Sequence, residues 1–260
     1  VKSSTASSVR CSVCAAVQKA FSPVCRTCGK VLAASRLSTA SPRGGQRTSQ
    51  GRPGEDLVAR AYKWLLETDQ DEGRLAFIWR TVVWLVLLRW SWLFMAAPWG
   101  SNAAGESFLH LVNLPFHEAG HLLFMPFGRF MMFLGGTLGQ VLMPVICLGT
   151  FLMKTHDPFG AAVALWWTGE NLLDIAPYID DARSLDLVLL GGVTGRDTDG
   201  HDWENILGML GWLEYDHRLA HLVNNAGILM MLAALLWSGA LLLRHFRRCR
   251  MSRNEPAPPG

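Results

Sequence analysis

The chain has 260 residues, half of them hydrophobic and only 17% charged, with 11 Trp and a formal net charge of +3. Soluble domains average about 25% charged residues, so this balance argues against an ordinary soluble globule and for the long uncharged runs that a bilayer requires. The basic residues flank apolar runs, which makes a membrane edge a simpler explanation for them than a nucleic-acid footprint.

Residues 1–54 carry nine Lys or Arg and no acid. Within them Cys11-Ser-Val-Cys14 and Cys25-Arg-Thr-Cys28 form two Cys-x-x-Cys pairs. Each pair turns tightly and offers two thiolates, so Cys11, Cys14, Cys25 and Cys28 together predict a four-sulfur structural zinc site. Such a site has no open position; its metal supplies folding energy that a segment this short lacks. Residues 1–32 therefore read as a zinc-ribbon-like segment, suited to contact with a protein partner. Residues 33–56, rich in Ser, Gly, Arg and Pro, read as a flexible basic linker. Residues 1–30 contain no apolar core of about 7–15 residues, so membrane insertion is expected to rely on the first internal apolar segment.

Residues 57–243 read as a membrane-embedded domain. It opens on an amphipathic surface helix over 55–72, marked by Leu57, Ala61, Trp64 and Leu65. Five apolar runs follow, at residues 77–97, 108–127, 130–153, 159–179 and 226–243. The third contains Gly135-Gly136-Thr137-Leu138-Gly139, which is expected to interrupt its helix; broken backbone at membrane depth is tolerated where it lines a cavity. Residues 244–260 form a basic tail with five Arg. Basic flanks at both ends place both termini on the cytoplasmic side and call for an even number of spans. The expected fold is all-α: a multi-pass transmembrane helical bundle of four to five apolar segments, one of them re-entrant, with the small ribbon in front.

The second run contains His117-Glu118-Ala119-Gly120-His121. Spacing of four puts both imidazoles on one face of a helix, where their nitrogens can converge on one metal ion. Glu118 projects beside them and can take a proton from a metal-bound water. Two His and a Glu in an otherwise apolar segment are costly without a ligand. A catalytic zinc keeps three protein ligands and an open position, and acids for the third ligand occur at Glu170, Asp174, Asp180 and Asp181.

Further along, Asn171-Leu172-Leu173, Pro177, and Asp180 with Arg183 follow at set intervals, and Gly136-Thr137-Leu138-Gly139-Gln140 lies between them and the His-Glu stretch. Together these residues resemble the site-2 protease family of intramembrane zinc metalloproteases. The resemblance covers residues 105–185. It implies a zinc-dependent metalloprotease that hydrolyses a peptide bond in or near a membrane segment, with a membrane-protein or peptide substrate. It implies His117, His121 and Asp180 as zinc ligands, Glu118 as the catalytic base, and Asn171 or Gln140 as groups that orient the substrate strand. The chain departs from the family pattern at Asp174, at one extra residue between Pro177 and Asp180, at Asp181-Ala182, and at Gln140 in place of Asn. Glu170 and Asp174 are the alternative metal-site acids, as ligand and as supporting carboxylate. The altered acidic motif also motivates two other readings: a non-proteolytic zinc-binding membrane protein, and a membrane adaptor whose working part is the ribbon.

His201-Asp202-Trp203-Glu204 follows a Gly-rich acidic loop. It reads as a solvated loop with a helix cap at Asp202, the alternative being that His201 stands near the metal or gates it. His217 and His221 read as interfacial, and His110 and Asn113 as supporting groups on the helix of the His-Glu stretch.

Overall fold

A computed structural model describes residues 8–10, 17–19, 65–66 and 74–254, with side chains at 65–66 and 75–248. The chain divides into two compact units, Val1–Gln50 and Gly51–Gly260. In the first, strand β1 (Ser8–Arg10) pairs antiparallel with β2 (Val17–Lys19), Val9 facing Gln18. Cys11, Cys14, Cys25 and Cys28, and with them the expected zinc ribbon, lie outside the described residues, as does most of the stretch 33–72.

The described residues of the second unit are mostly helical. Its long elements are α1 (Arg74–Ala96), α2 (Phe108–Phe124), α3 (Arg129–Thr150), α4 (Pro158–Asp180) and α6 (Asp216–Asn254), with a short α5 (Asp202–Leu210) between the last two. Three stretches, Leu75–Ala96, Arg129–Thr155 and Leu213–Arg248, are long and apolar enough to cross a membrane. Helix α2 has 17 residues, about 25 Å of rise against about 30 Å of bilayer hydrocarbon. Helix α4 is long enough, but Glu170 and Asp174 interrupt its apolar sequence.

Helix α4 is the axis of the bundle. Its buried residues run around every side, from Phe159, Ala161 and Ala162 to Ile175, Ala176 and Ile179. Side chains on α1, α4 and α6 (Leu87, Trp166, Leu173, Met231 and Leu235) form one core cluster. A second, from α3 to α6, gathers Phe133, Ile175, Ile179, Trp203, Ile206, Leu207 and Ala220. Helices α4 and α6 come close at glycines: a Cβ on Gly169 would stand 2.7 Å from the Gly227 carbonyl oxygen. Small residues that let backbones approach are the usual means of packing helices where lipid provides no hydrophobic drive.

Helix α3 differs from expectation. Residues 135–139 do not break it; Arg129–Thr150 is one continuous α-helix. The glycines serve its contact with α2 instead. A Cβ on Gly135 would stand 2.6 Å from the Gly120 carbonyl oxygen, and one on Gly139 2.8 Å from Gly120 Cα. The helical cost of several glycines is offset by the close packing of two backbones.

The second unit has apolar residues outside and polar ones within. Leu75, Ile78, Trp79, Leu85 and Trp92 on α1, Leu122 and Leu123 on α2, and Leu222, Leu229 and Leu236 on α6 are exposed. Asn113, Gln140, Glu170, Asn171, Asp174, His201 and Asp202 are buried. Contiguous apolar surface on this scale suits hydrocarbon rather than water.

Replacing Gly169 with Val inserts a side chain against the α6 backbone and should cost about 1–3 kcal/mol. Thermal unfolding in detergent should show a lower midpoint for Gly169→Val. Gly149→Ala, where a Cβ meets only Met153 Cε at 3.6 Å, should leave it unchanged. Equal midpoints for the two variants would contradict the close α4–α6 contact.

Candidate metal centre

The centre begins with local helix geometry. His117 and His121, one turn apart on α2, face α3 with ring centroids 4.8 Å apart. They fit there because α3 presents no side chain at Gly136. A Cβ at that position would lie 2.5 Å from His117 Nε2 and 2.6 Å from His121 Nε2.

Hydrogen bonds at the outer ring nitrogens fix both tautomers. His117 Nδ1 lies 2.9 Å from Gln140 Oε1. The Gln140 amide nitrogen donates to Asp174 Oδ2 at 3.1 Å. A carboxylate accepts only, so the amide must turn its oxygen toward His117, and His117 Nδ1 must carry the hydrogen. His121 Nδ1 lies 2.8 Å from the Met132 carbonyl oxygen, which likewise only accepts. Both Nδ1 atoms therefore donate outward, and both Nε2 lone pairs turn inward.

They turn toward Asp202. Its Oδ2 lies 3.0 Å from His117 Nε2 and 3.3 Å from His121 Nε2. One ligand atom from each of the three residues lies within 4.8 Å of the others, a group that can hold a metal ion. A tetrahedral ion about 2.0–2.1 Å from each ligand would separate the ligands by about 3.3 Å. Two inward lone pairs facing a carboxylate repel unless a cation, metal or proton, stands between them. Burial opposes the charge on Asp202. The hydrogen bonds with His117 and His121 outweigh burial, and the carboxyl is held below the ordinary carboxylate range.

Asp202 is carried in by α5. Trp203, Ile206 and Leu207 of that helix enter the core, which sets Asp202, four residues before Ile206, on the same inward face. The preceding residue, His201, is the N-cap: its Nδ1 accepts the Glu204 backbone N–H at 3.1 Å. Its Nε2 faces Asp181 Oδ2 at 3.4 Å. Burial pushes the His201 imidazole below its ordinary range, in keeping with an Nδ1 that accepts. Asp181 also ties down the following loop, accepting from Ser184 Oγ and from the backbone N–H groups of Asp186 and Leu187. The Asp202 backbone N–H donates to the Tyr178 hydroxyl oxygen at 2.9 Å.

The three candidate ligands line a cavity of about 480 Å³, within the usual range for a small-ligand site, together with Glu118, Tyr178, Gln140 and the apolar loop 187–190. Glu118 makes no hydrogen bond to another described residue. Its charge acts on both His121 and Tyr178.

The remaining expected site residues fall elsewhere. Asp180, the expected third ligand, accepts from His217 Nδ1 at 2.6 Å and takes no part in the group at His117 and His121. Two residues along a helix turn the chain through about 200°, so Asp180 faces away from the cavity that Tyr178 lines. Asp174 and Glu170 lie one and two turns before Tyr178 on the same side of α4, and Asp174 lines the cavity, but neither belongs to the group at the ring Nε2 atoms. Asp174 holds Gln140 and accepts from His110 Nδ1 at 2.9 Å and Asn113 Nδ2 at 3.1 Å. Glu170 accepts from Asn113 at 3.1 Å. Trp167 Nε1 donates to the other end of the Asn113 amide at 2.9 Å. Asn171, expected to orient substrate, is buried and bonds the Trp167 carbonyl oxygen of its own helix at 2.9 Å. His201 and Asp202 are buried rather than solvated, and the helix cap is His201 in place of Asp202. The sequence does carry one signal for Asp202. It falls on the same stripe of α5 as Ile206, where an acid is out of place without a partner.

Comparison with family models, with curated proteins and with solved structures finds no match to this chain.

Metal analysis of the purified full chain separates the candidate third ligands. Asp202→Asn should contain one equivalent of metal less than the wild type, and Asp180→Asn the same amount. The reverse result would return the third ligand to Asp180. Gln140→Leu, which frees His117 Nδ1, should weaken metal binding at this site about 10–100-fold in a competition titration with a chelator.

Proposed function

We propose that this chain is a membrane-embedded zinc hydrolase that cleaves a peptide bond within or next to a membrane segment of its substrate. One observation carries the reading. Two histidines with fixed outward Nδ1 donors and one buried carboxylate aim their ligand atoms at a common point, and Glu118 faces the cavity beside them. Two imidazoles and a carboxylate are the ligand set of many catalytic zinc sites, which leave a fourth position open. Three long apolar helices and an outward apolar surface support a membrane setting. The choice of a peptide bond rests on the resemblance of the His-Glu-x-x-His stretch to the site-2 proteases.

When bound, zinc would polarise the scissile carbonyl and lower the pKa of a water toward about 7. The chain supplies the rest. Glu118 accepts the proton of the attacking water and returns it to the leaving nitrogen. Gln140 keeps His117 in the ligating tautomer, and the Met132 carbonyl does so for His121. The apolar loop 187–190 contributes Leu187, Val188, Leu189 and Leu190 to the lining of the cavity. A second, structural zinc at Cys11, Cys14, Cys25 and Cys28, in a ribbon for contact with a protein partner, rests on the Cys-x-x-Cys spacing alone.

The test uses an unfolded polypeptide, β-casein, as a generic substrate for the detergent-purified protein. Glu118→Gln should keep its metal and lose about 10²–10⁴-fold in cleavage rate. Cleavage by Glu118→Gln at the wild-type rate, or a fully metal-loaded wild type that cleaves nothing, would count against a hydrolase.

A further inference from the structure

We propose that Tyr178 is the oxyanion donor of this centre: its phenolic O–H donates to the oxygen that gains negative charge at the open position beside His117, His121 and Asp202. This inference rests on the hydrolase reading above and adds to it a group with a distinct task.

The argument is a count of protons. A tyrosine hydroxyl has one proton to donate and lone pairs to accept with. Tyr178 accepts from the Asp202 backbone N–H at 2.9 Å. That bond uses a lone pair and leaves the proton unspent, and no described residue accepts it. The hydroxyl is held beside the metal ligands by the same bond, because Asp202 supplies both the amide and the third ligand. The ring is held from two sides: its centroid is 4.3 Å from that of His201 and 6.4 Å from that of His117.

Tyr178 also lines the cavity that His117, His121, Glu118 and Asp202 share. Two other donors on that wall are committed. The Gln140 amide donates to Asp174, and His110 Nδ1 pairs with the same carboxylate. The near carboxylates, Glu118, Asp181 and Asp202, offer oxygens that accept hydrogen bonds. Tyr178 is thus placed to complement them: Glu118 takes a proton from the attacking water, and Tyr178 supplies a hydrogen bond where negative charge gathers. A donor already oriented before the reaction needs no reorganisation during it, which is why such groups contribute strongly to rate.

Acetohydroxamate is a suitable probe, because it binds a metal through an anionic oxygen that mimics the developing charge. The full chain is loaded with cobalt(II), and probe binding is followed by the visible spectrum. A four-sulfur cysteine site has no open position, so it does not respond to the probe. Tyr178→Phe should keep the wild-type cobalt content and bind acetohydroxamate roughly 10- to 100-fold more weakly, the loss expected for one hydrogen bond to a charged group. A merely structural Tyr178 would alter cobalt content and leave the affinity of the loaded protein unchanged; unchanged affinity overturns the proposal.

If Tyr178→Phe does not hold cobalt, the wild type decides the matter through its zinc-loaded form, labelled with 13C at the tyrosine Cζ. Tyr62→Phe and Tyr215→Phe identify the Tyr178 resonance. It should shift on addition of acetohydroxamate, and a resonance that stays in place overturns the proposal. Wild-type protein with no more cobalt than Asp202→Asn would overturn the hydrolase reading itself, and Tyr178 with it.

Discussion

Two imidazoles whose outer nitrogens are tied to acceptors must present their inner lone pairs, and here both meet the same buried carboxylate. That constraint organises the centre. His117 cannot turn its ring without giving up Gln140, and Gln140 cannot flip without setting its amide oxygen against Asp174. His121 is held in the same sense by a backbone carbonyl. Asp202 closes the arrangement from a different helix. The arrangement is attractive only with a cation at the focus, a proton or a metal ion, and the three ligand atoms are close enough together to hold a metal.

The bundle is arranged around that need. Glycines at 120, 135 and 139 bring α2 and α3 into backbone contact, and Gly136 leaves room for both rings. Helix α4 gives one face to the polar interior. Glu170, Asp174 and Tyr178 recur every turn along it, in the order of buried acid, bridge to Gln140, and support for Asp202. Buried carboxylates are expensive unless hydrogen-bonded, and the amides of Asn113 and Gln140 reduce that cost for Glu170 and Asp174. The short amphipathic α5 then uses its apolar stripe to drive Asp202 inward. Polar chemistry inside and apolar surface outside follow from the same sequence pattern.

Much of this is legible in the sequence, for reasons that can be named. A spacing of four on an apolar helix puts His117 and His121 together because helix geometry is local. The helical runs are readable because each is bounded by polar or Gly-rich stretches. What is not legible depends on tertiary contact. Nothing near Asp202 announces His117 or His121, and its acidic loop reads as solvent-exposed. Asp180 is suggested by the resemblance to the site-2 proteases, but the pitch of α4 turns it toward His217 instead. Gly135, Gly136 and Gly139 carry opposite messages: helix propensity favours a break, and packing against α2 favours a continuous helix. Packing wins because the neighbouring backbone is close enough to use the missing side chains. Gln140 is identifiable as a residue near the centre, while its hydrogen bond to His117 depends on the rotation of α3 against α2.

An anomalous difference map from crystals of the zinc-loaded full chain, collected at the zinc absorption edge, tests the central claim most directly. The account predicts a peak about 2.0–2.2 Å from His117 Nε2, His121 Nε2 and an Asp202 carboxylate oxygen, with its remaining side open to the cavity. A helical bundle with no peak at that point, or with a peak liganded by Asp180 in place of Asp202, would contradict it.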